Sequence, residues 1–240
     1  MGATRKAAVH AKESVKALTR RLRFRRFSAV QLLIALGLLF TVVPLVEEIK
    51  GGELIVSILF SLVLISAVLA VAERKRVLVV AIVLAIPAIA GRWINHFRPH
   101  LAPPFVFLIA ALVLIIFVVA NLLRFILRAP SVNTEVLCAS ISAYLMLGLM
   151  WAMAYWLVDR LTSGGAFSFN TNAGPRSISG FNGFYFSFIT LSTVGYGDIT
   201  PVSKLARWLA AMEAMTGLLY VAVLIARLVS LYSSQKPDDS

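Results

Sequence analysis

The feature that most constrains this 240-residue chain is a series of long apolar runs without charge. A bilayer's hydrocarbon core is about 30 Å thick, and a helix rising about 1.5 Å per residue needs about 20 residues to cross it. Uncharged runs of that size are Ser28–Val46, Leu54–Ala72, Pro104–Leu123 and Val136–Val158. Trp208–Ala226 carries one charge, Glu213. Val77–Gly91 is short and contains Pro87; it spans comfortably only if it continues through Trp93 and Phe97. Lipid offers no partner to an exposed N–H or C=O, so all six must be helices. None alternates as a membrane barrel strand would. The expectation is an all-α integral membrane protein with six transmembrane helices.

Composition excludes a water-soluble enzyme. The chain is 60% hydrophobic and 14% charged, against about 45–50% and 25% in soluble domains. It holds no glycine fingerprint for nucleotides, no metal-ligand cluster and no nucleophile–base set, so neither catalysis nor a cofactor is expected. The single cysteine, Cys138, sits in an apolar run; it excludes an internal disulfide and reads as a small buried hydrophobe.

The net charge of +12 is concentrated in residues 1–27, where nine Lys/Arg face one acid, Glu13. A basic tail directly before a membrane span suits anionic lipid better than nucleic acid. Ala8, Ala11, Val15, Leu18 and Leu22 recur at helical spacing, which fits an amphipathic helix on the inner leaflet as well as a frayed basic tail. The basic region is too long for a cleaved signal peptide. With this tail inside, 16 Lys/Arg fall on the cytoplasmic side and seven on the other. The charge rule then puts both termini in the cytoplasm, and a bacterial plasma membrane is the expected location. Residues 233–240 form a short cytoplasmic tail.

Between the last two spans lies Phe181–Pro201, too short and too glycine-rich to cross the bilayer and return as two helices. Phe181–Ser192 suffices for about three turns of re-entrant helix. Thr193–Gly197 does not continue them: Gly195 and Gly197 alternate with Val194 and Tyr196. Glycine takes positive φ at little cost, so alternating backbone handedness can turn successive carbonyls to one side. Irregular backbone at membrane depth is tolerated only along a water-filled path. Asp159–Gly180, rich in Ser, Gly, Asn and Thr, reads as an exposed outer loop.

Thr193-Val194-Gly195-Tyr196-Gly197 followed by Asp198 resembles the selectivity filter of the potassium channel family. The resemblance runs from about Phe184 to Gly217, with the fifth and sixth spans flanking it as in the family's pore domain. It implies a domain over residues 133–232: outer helix, pore helix, filter and inner helix. It implies potassium coordination by the carbonyls of Thr193, Val194, Gly195 and Tyr196 and by the Thr193 hydroxyl, with potassium as the permeant ion. One strand of carbonyls per chain implies a homotetramer. By the same analogy Tyr185, Phe186 and Tyr196 form a cuff behind the filter.

Some positions depart from the pattern or leave alternatives open. A pore-helix carboxylate that pairs with the acid after the filter in a two-span relative is replaced by Ile189. Asp198 then either concentrates cations at the outer mouth or ties the filter to the next loop. Gly217 is either a hinge or a close-packing residue, and Gly217→Ala is expected to alter open probability. Glu213 is a costly intramembrane carboxylate; it is either a protonated acid bonded to Ser187, Thr190 or Tyr144, or an ionised ring in the cavity.

The fourth span holds no charge, and Arg124 and Arg128 lie beyond it. A voltage sensor needs several charges within the span, so residues 28–128 are expected to be a peripheral scaffold without voltage sensing. His96 and His100 are interfacial or, less simply, pH-sensing. Arg92, Trp93 and Trp156 read as interface anchors. The function expected from the resemblance is passive potassium conduction. The alternatives are a non-conducting regulatory subunit of other potassium channels and a weakly selective cation channel.

Overall fold

A computed structural model of the chain describes residues 28–47, 49–72, 75–97, 104–163, 165–170 and 176–233. The basic tail, His100 and residues 234–240 lie outside the described residues. Among the described residues, six helices are long and apolar enough to cross a membrane. They are α1 Ser28–Val46, α2 Gly52–Ala70, α3 Lys75–Phe97, α4 Pro104–Arg128, α5 Thr134–Leu161 and α7 Lys204–Ser233; a shorter helix, α6 Phe181–Leu191, lies between the last two.

The third span runs the full 23 residues to Phe97, through Pro87, rather than stopping at Gly91. Proline removes one backbone donor and crowds the preceding turn, but Pro87 is exposed, between Ile86 and the lipid-ready face. The opposite face carries Ala81, Ala85 and Ala88, all buried, and small residues at this spacing let membrane helices approach closely. A Cβ on Gly91 would come within 2.6 Å of Phe107 Cβ in α4. Arg92 and Trp93, expected as interface anchors, tie α3 to α2. The Arg92 Nε–H donates to Ser57 Oγ (3.1 Å) and the Trp93 Nε1–H to Ser61 Oγ (3.1 Å).

The scaffold helices pack in sequence, α2 on α3, α3 on α4 and α4 on α5, and α5 also meets α6 and α7. The core runs through α1 as well: Leu32, Leu36 and Leu39 are fully buried. Phe40 sets its ring edge-to-face against Phe184 (5.7 Å) and Phe188 (4.8 Å) of α6, so the first span braces the short helix directly.

The segment expected to be an exposed loop is partly folded. α5 continues to Leu161. Beyond it, β1 Phe167–Phe169 pairs antiparallel with β2 Ile199–Pro201, in the register Phe167↔Pro201, Ser168↔Thr200, Phe169↔Ile199. Ala166, Phe167 and Ile178 are buried with Tyr155, Phe186 and Ile199 in a small second core. α7, by contrast, leaves most of its length exposed, with Trp208 at 59% and Leu219 at 61%.

Candidate functional site

The site is built around α6. Its N-cap, Gly180, offers no side chain to the free N–H groups of the first turn. Glu47, just beyond α1, supplies the missing acceptor: its Oε2 takes the Phe181 N–H at 2.8 Å. A carboxylate there also meets the positive end of the helix dipole. Glu47 lines a cavity of about 280 Å³ with Glu53, Arg92, His96, Arg160 and Phe184. His96 Nδ1 stands 3.9 Å from Glu53 Oε2 in it.

At its other end α6 closes in a Schellman motif. Thr193 N–H donates to Thr190 O (2.9 Å) and Val194 N–H to Ile189 O (2.8 Å), the two bonds that define the motif. The residue between them must be left-handed, and glycine is usual there. This chain has Thr193, with φ of 61°. Gly195 (φ 55°) and Gly197 (φ 80°) repeat the positive φ at alternate positions, which is the alternation of handedness expected from the sequence.

The hydrogen-bond ledger of Thr193–Gly197 is one-sided. The donors of residues 193–195 are consumed by the last turn of α6, since Gly195 N–H also reaches Ile189 O (3.1 Å). Among the described residues, nothing donates to the carbonyls of Thr193, Val194, Gly195 or Tyr196. The Gly197 carbonyl is the first to be occupied, by Asn170 Nδ2 at 2.9 Å, and the Asp198 carbonyl takes the Asn170 N–H at 2.8 Å. The strand pair β1–β2 sets Asn170 in that place. Val194 is 53% and Tyr196 72% exposed.

Asp198 is tied rather than free: Tyr185 donates its hydroxyl to Asp198 Oδ2 at 2.7 Å. Partial burial, and then this bond, push the Tyr185 phenol up to about 12, so it remains a donor at neutral pH. Asp198 Oδ1 is buried without a partner among the described residues. Phe186 sits edge-on to Tyr155 (4.9 Å) and Phe167 (5.3 Å), in the small core that includes the strand pair.

Glu213 is fully buried. It meets Ser187, whose Oγ lies 2.5 Å from its Oε1, and the Tyr155 hydroxyl at its Oε2. Of the three partners expected, Ser187 is correct, whereas Thr190 and Tyr144 are not; Tyr144 packs its ring on Tyr220. Thr190 contributes its main-chain carbonyl, to Thr193. Gly217 is a packing residue: α7 runs unbroken through it, and a Cβ there would overlap the Leu191 carbonyl at the end of α6. Glu47, Tyr155 and Asn170 carry no sequence signal of their own; each acts across 27 or more residues of chain.

Residues 139–234 match the family described as "Ion channel". An inward rectifier potassium channel, Kirbac3.1 of Paramagnetospirillum magnetotacticum, is 36% identical over 80 residues, covering 33% of this chain and 24% of that one. The voltage-gated potassium channel Kch of Escherichia coli K12 is 44% identical over 54 residues, 22% of this chain and 13% of that one. Over this segment the chain is similar to potassium channels. Protein LctB of Bacillus caldotenax is also similar, 33% identical over 88 residues, or 36% of this chain and 64% of that protein. The chain thus covers less than two thirds of the length of each of these relatives. The matched segment takes in most of α5, the β1–β2 pair, α6 and α7, and leaves α1–α4 outside the match.

Proposed function

We propose that the chain is a subunit of a potassium-selective channel. Four copies stand around one axis, and each contributes Thr193–Gly197 to a shared filter. The observation that carries this reading is the row of carbonyls at 193–196 that, among the described residues, accept no hydrogen bond, while the N–H groups of 193–195 are directed into the last turn of α6. Acceptors without donors, repeated on four chains, are what a dehydrated cation requires. The Thr193 hydroxyl extends the set by one oxygen. The C-terminal dipole of α6, about half a negative charge, favours a cation beneath it. The exposed faces of α7 and of Val194 and Tyr196 fit contact with neighbouring copies.

In this reading α5 to α7 form the pore domain, and α1–α4 form a scaffold whose contact with it includes the Glu47 cap. The filter end faces outward, and the basic tail rests on the anionic inner leaflet of a bacterial plasma membrane, with both termini inside. Conduction is passive, no reaction is catalysed, and opening does not depend on voltage. The test is flux through the purified chain in vesicles under opposed potassium and sodium gradients. A reversal potential near the potassium equilibrium value supports the reading. A reversal midway between the two ions indicates a weakly selective pore. No flux, with the protein correctly inserted, indicates a regulatory subunit.

A further inference from the structure

Five oxygens of four groups meet in the buried space between α5, α6 and α7: the Tyr155 hydroxyl, the two carboxyl oxygens of Glu213, the Ser187 hydroxyl and the Gly148 carbonyl. All three side chains are fully buried. Three contacts join them. Tyr155 meets Glu213 Oε2, Ser187 Oγ lies 2.5 Å from Glu213 Oε1, and the same Oγ lies 2.8 Å from Gly148 O. Each contact between two oxygens at such distances contains one proton.

The protons can be counted. Tyr155 has one, and it serves Glu213. Ser187 has one. The Gly148 carbonyl only accepts, so the serine proton belongs to that contact; otherwise two lone pairs would face each other at 2.8 Å. The contact between Oε1 and Oγ then needs a third proton, and only the carboxyl group can carry it. We infer that Glu213 is a neutral carboxylic acid, whose proton completes a chain from Tyr155 through Glu213 and Ser187 to Gly148. This chain pins α6 to α5 on one side and to α7 on the other.

The surroundings agree. Ser187 is the polar partner from α6, and Tyr155 is the one from α5, where Tyr144 is a further titratable group close enough to interact with Glu213 electrostatically. Among the described residues no Lys, Arg or His forms an ion pair with Glu213. An ionised carboxylate buried without a cation is strongly disfavoured. Both carboxyl oxygens of Glu213 are engaged, one by Ser187 and one by Tyr155. It is a positioning residue, setting the seat of the helix whose end presents residues 193–196.

Glutamine reproduces the bonding of the neutral acid: its amide N–H donates to Ser187 Oγ and its carbonyl accepts from Tyr155. The experiment is infrared spectroscopy of the reconstituted chain and of E213Q, E213A and Y155F, with potassium flux recorded in parallel. The native protein is expected to show a protonated-carboxyl C=O band at neutral pH that disappears in E213Q and shifts in Y155F. E213Q is expected to keep the native unfolding midpoint, flux and flux–pH profile, whereas E213A loses stability and flux. Absence of the band overturns the inference. So does an E213Q protein that fails to fold, or whose flux–pH profile differs from the native one through neutrality. The flux arm rests on the proposed channel function, but the band does not, so the two ideas fail separately.

Discussion

Thr193 occupies a left-handed position that costs a non-glycine residue about 1–2 kcal/mol, and it does so beside two glycines that take the same conformation freely. Its hydroxyl accounts for its place under the proposed function. Two neighbouring positions yield predictions. Gly217→Ala places a methyl group against the Leu191 carbonyl, main-chain atoms that cannot rotate away. We expect a loss of about 1–3 kcal/mol, typical of overpacking, read as a lower denaturation midpoint; any change in open probability would then come with a displaced α6. Tyr185→Phe deprives Asp198 of its donor, and a part-buried carboxylate left unpaired costs about 1 kcal/mol or more. In a double-mutant cycle, Asp198→Ala added to Tyr185→Phe should recover part of that loss, since removing both partners is milder than removing one. The positive φ at 195 and 197 was legible in the sequence because only glycine makes it easy. The one at Thr193 was not, because it follows from how α6 ends. The roles of Glu213 and Asp198 were narrowed to short sets of alternatives, and packing across distant residues made the selection: Tyr155 lies 58 residues from Glu213.

Element lengths in the sequence follow from bilayer thickness, which is why α1 matches its expected bounds and α6 ends within one residue of them. α3 was harder to read, since Pro87 and Arg92 both resemble boundaries. The helix survives them because the proline faces outward and the arginine finds Ser57. The strands β1 and β2 are three residues each and separated by the whole of α6; Phe-Ser-Phe and Ile-Thr-Pro are too short to declare a period. Their pairing nevertheless places Asn170 on Gly197. The cap of α6 gives a prediction of its own. Glu47→Ala leaves the Phe181 N–H without its acceptor and the helix dipole without its counter-charge. The expected loss is about 0.5–2 kcal/mol, the usual value of a capping side chain, and it should be visible as faster amide exchange confined to the first turn of α6.

For the molecule as a whole, the question is what six spans do when the family match covers only residues 139–234, two fifths of the chain. The fourth span carries no charge between Pro104 and Leu123, and the two arginines of α4, Arg124 and Arg128, are exposed at its end. A charge moved through 100 mV contributes about 2.3 kcal/mol, so with none inside the span, open probability in planar bilayers should vary little between strongly negative and strongly positive potentials. Steep activation by depolarisation would contradict this. The six-helix layout was legible because hydropathy dictates it. How the scaffold meets the pore region was not, because α4 packs on α5, Phe40 packs on α6 and Glu47, a single acid in a short connection, caps α6, all across distant stretches of sequence. The position of Glu47 also orders events during synthesis. A ribosome releases Glu47 134 residues before Phe181, or roughly ten seconds earlier at ordinary elongation rates. The acceptor for α6 is therefore already in place when that helix emerges, whereas a gene trimmed to begin at α5, or grafted behind a foreign scaffold, would deliver the same helix with its first turn unmet.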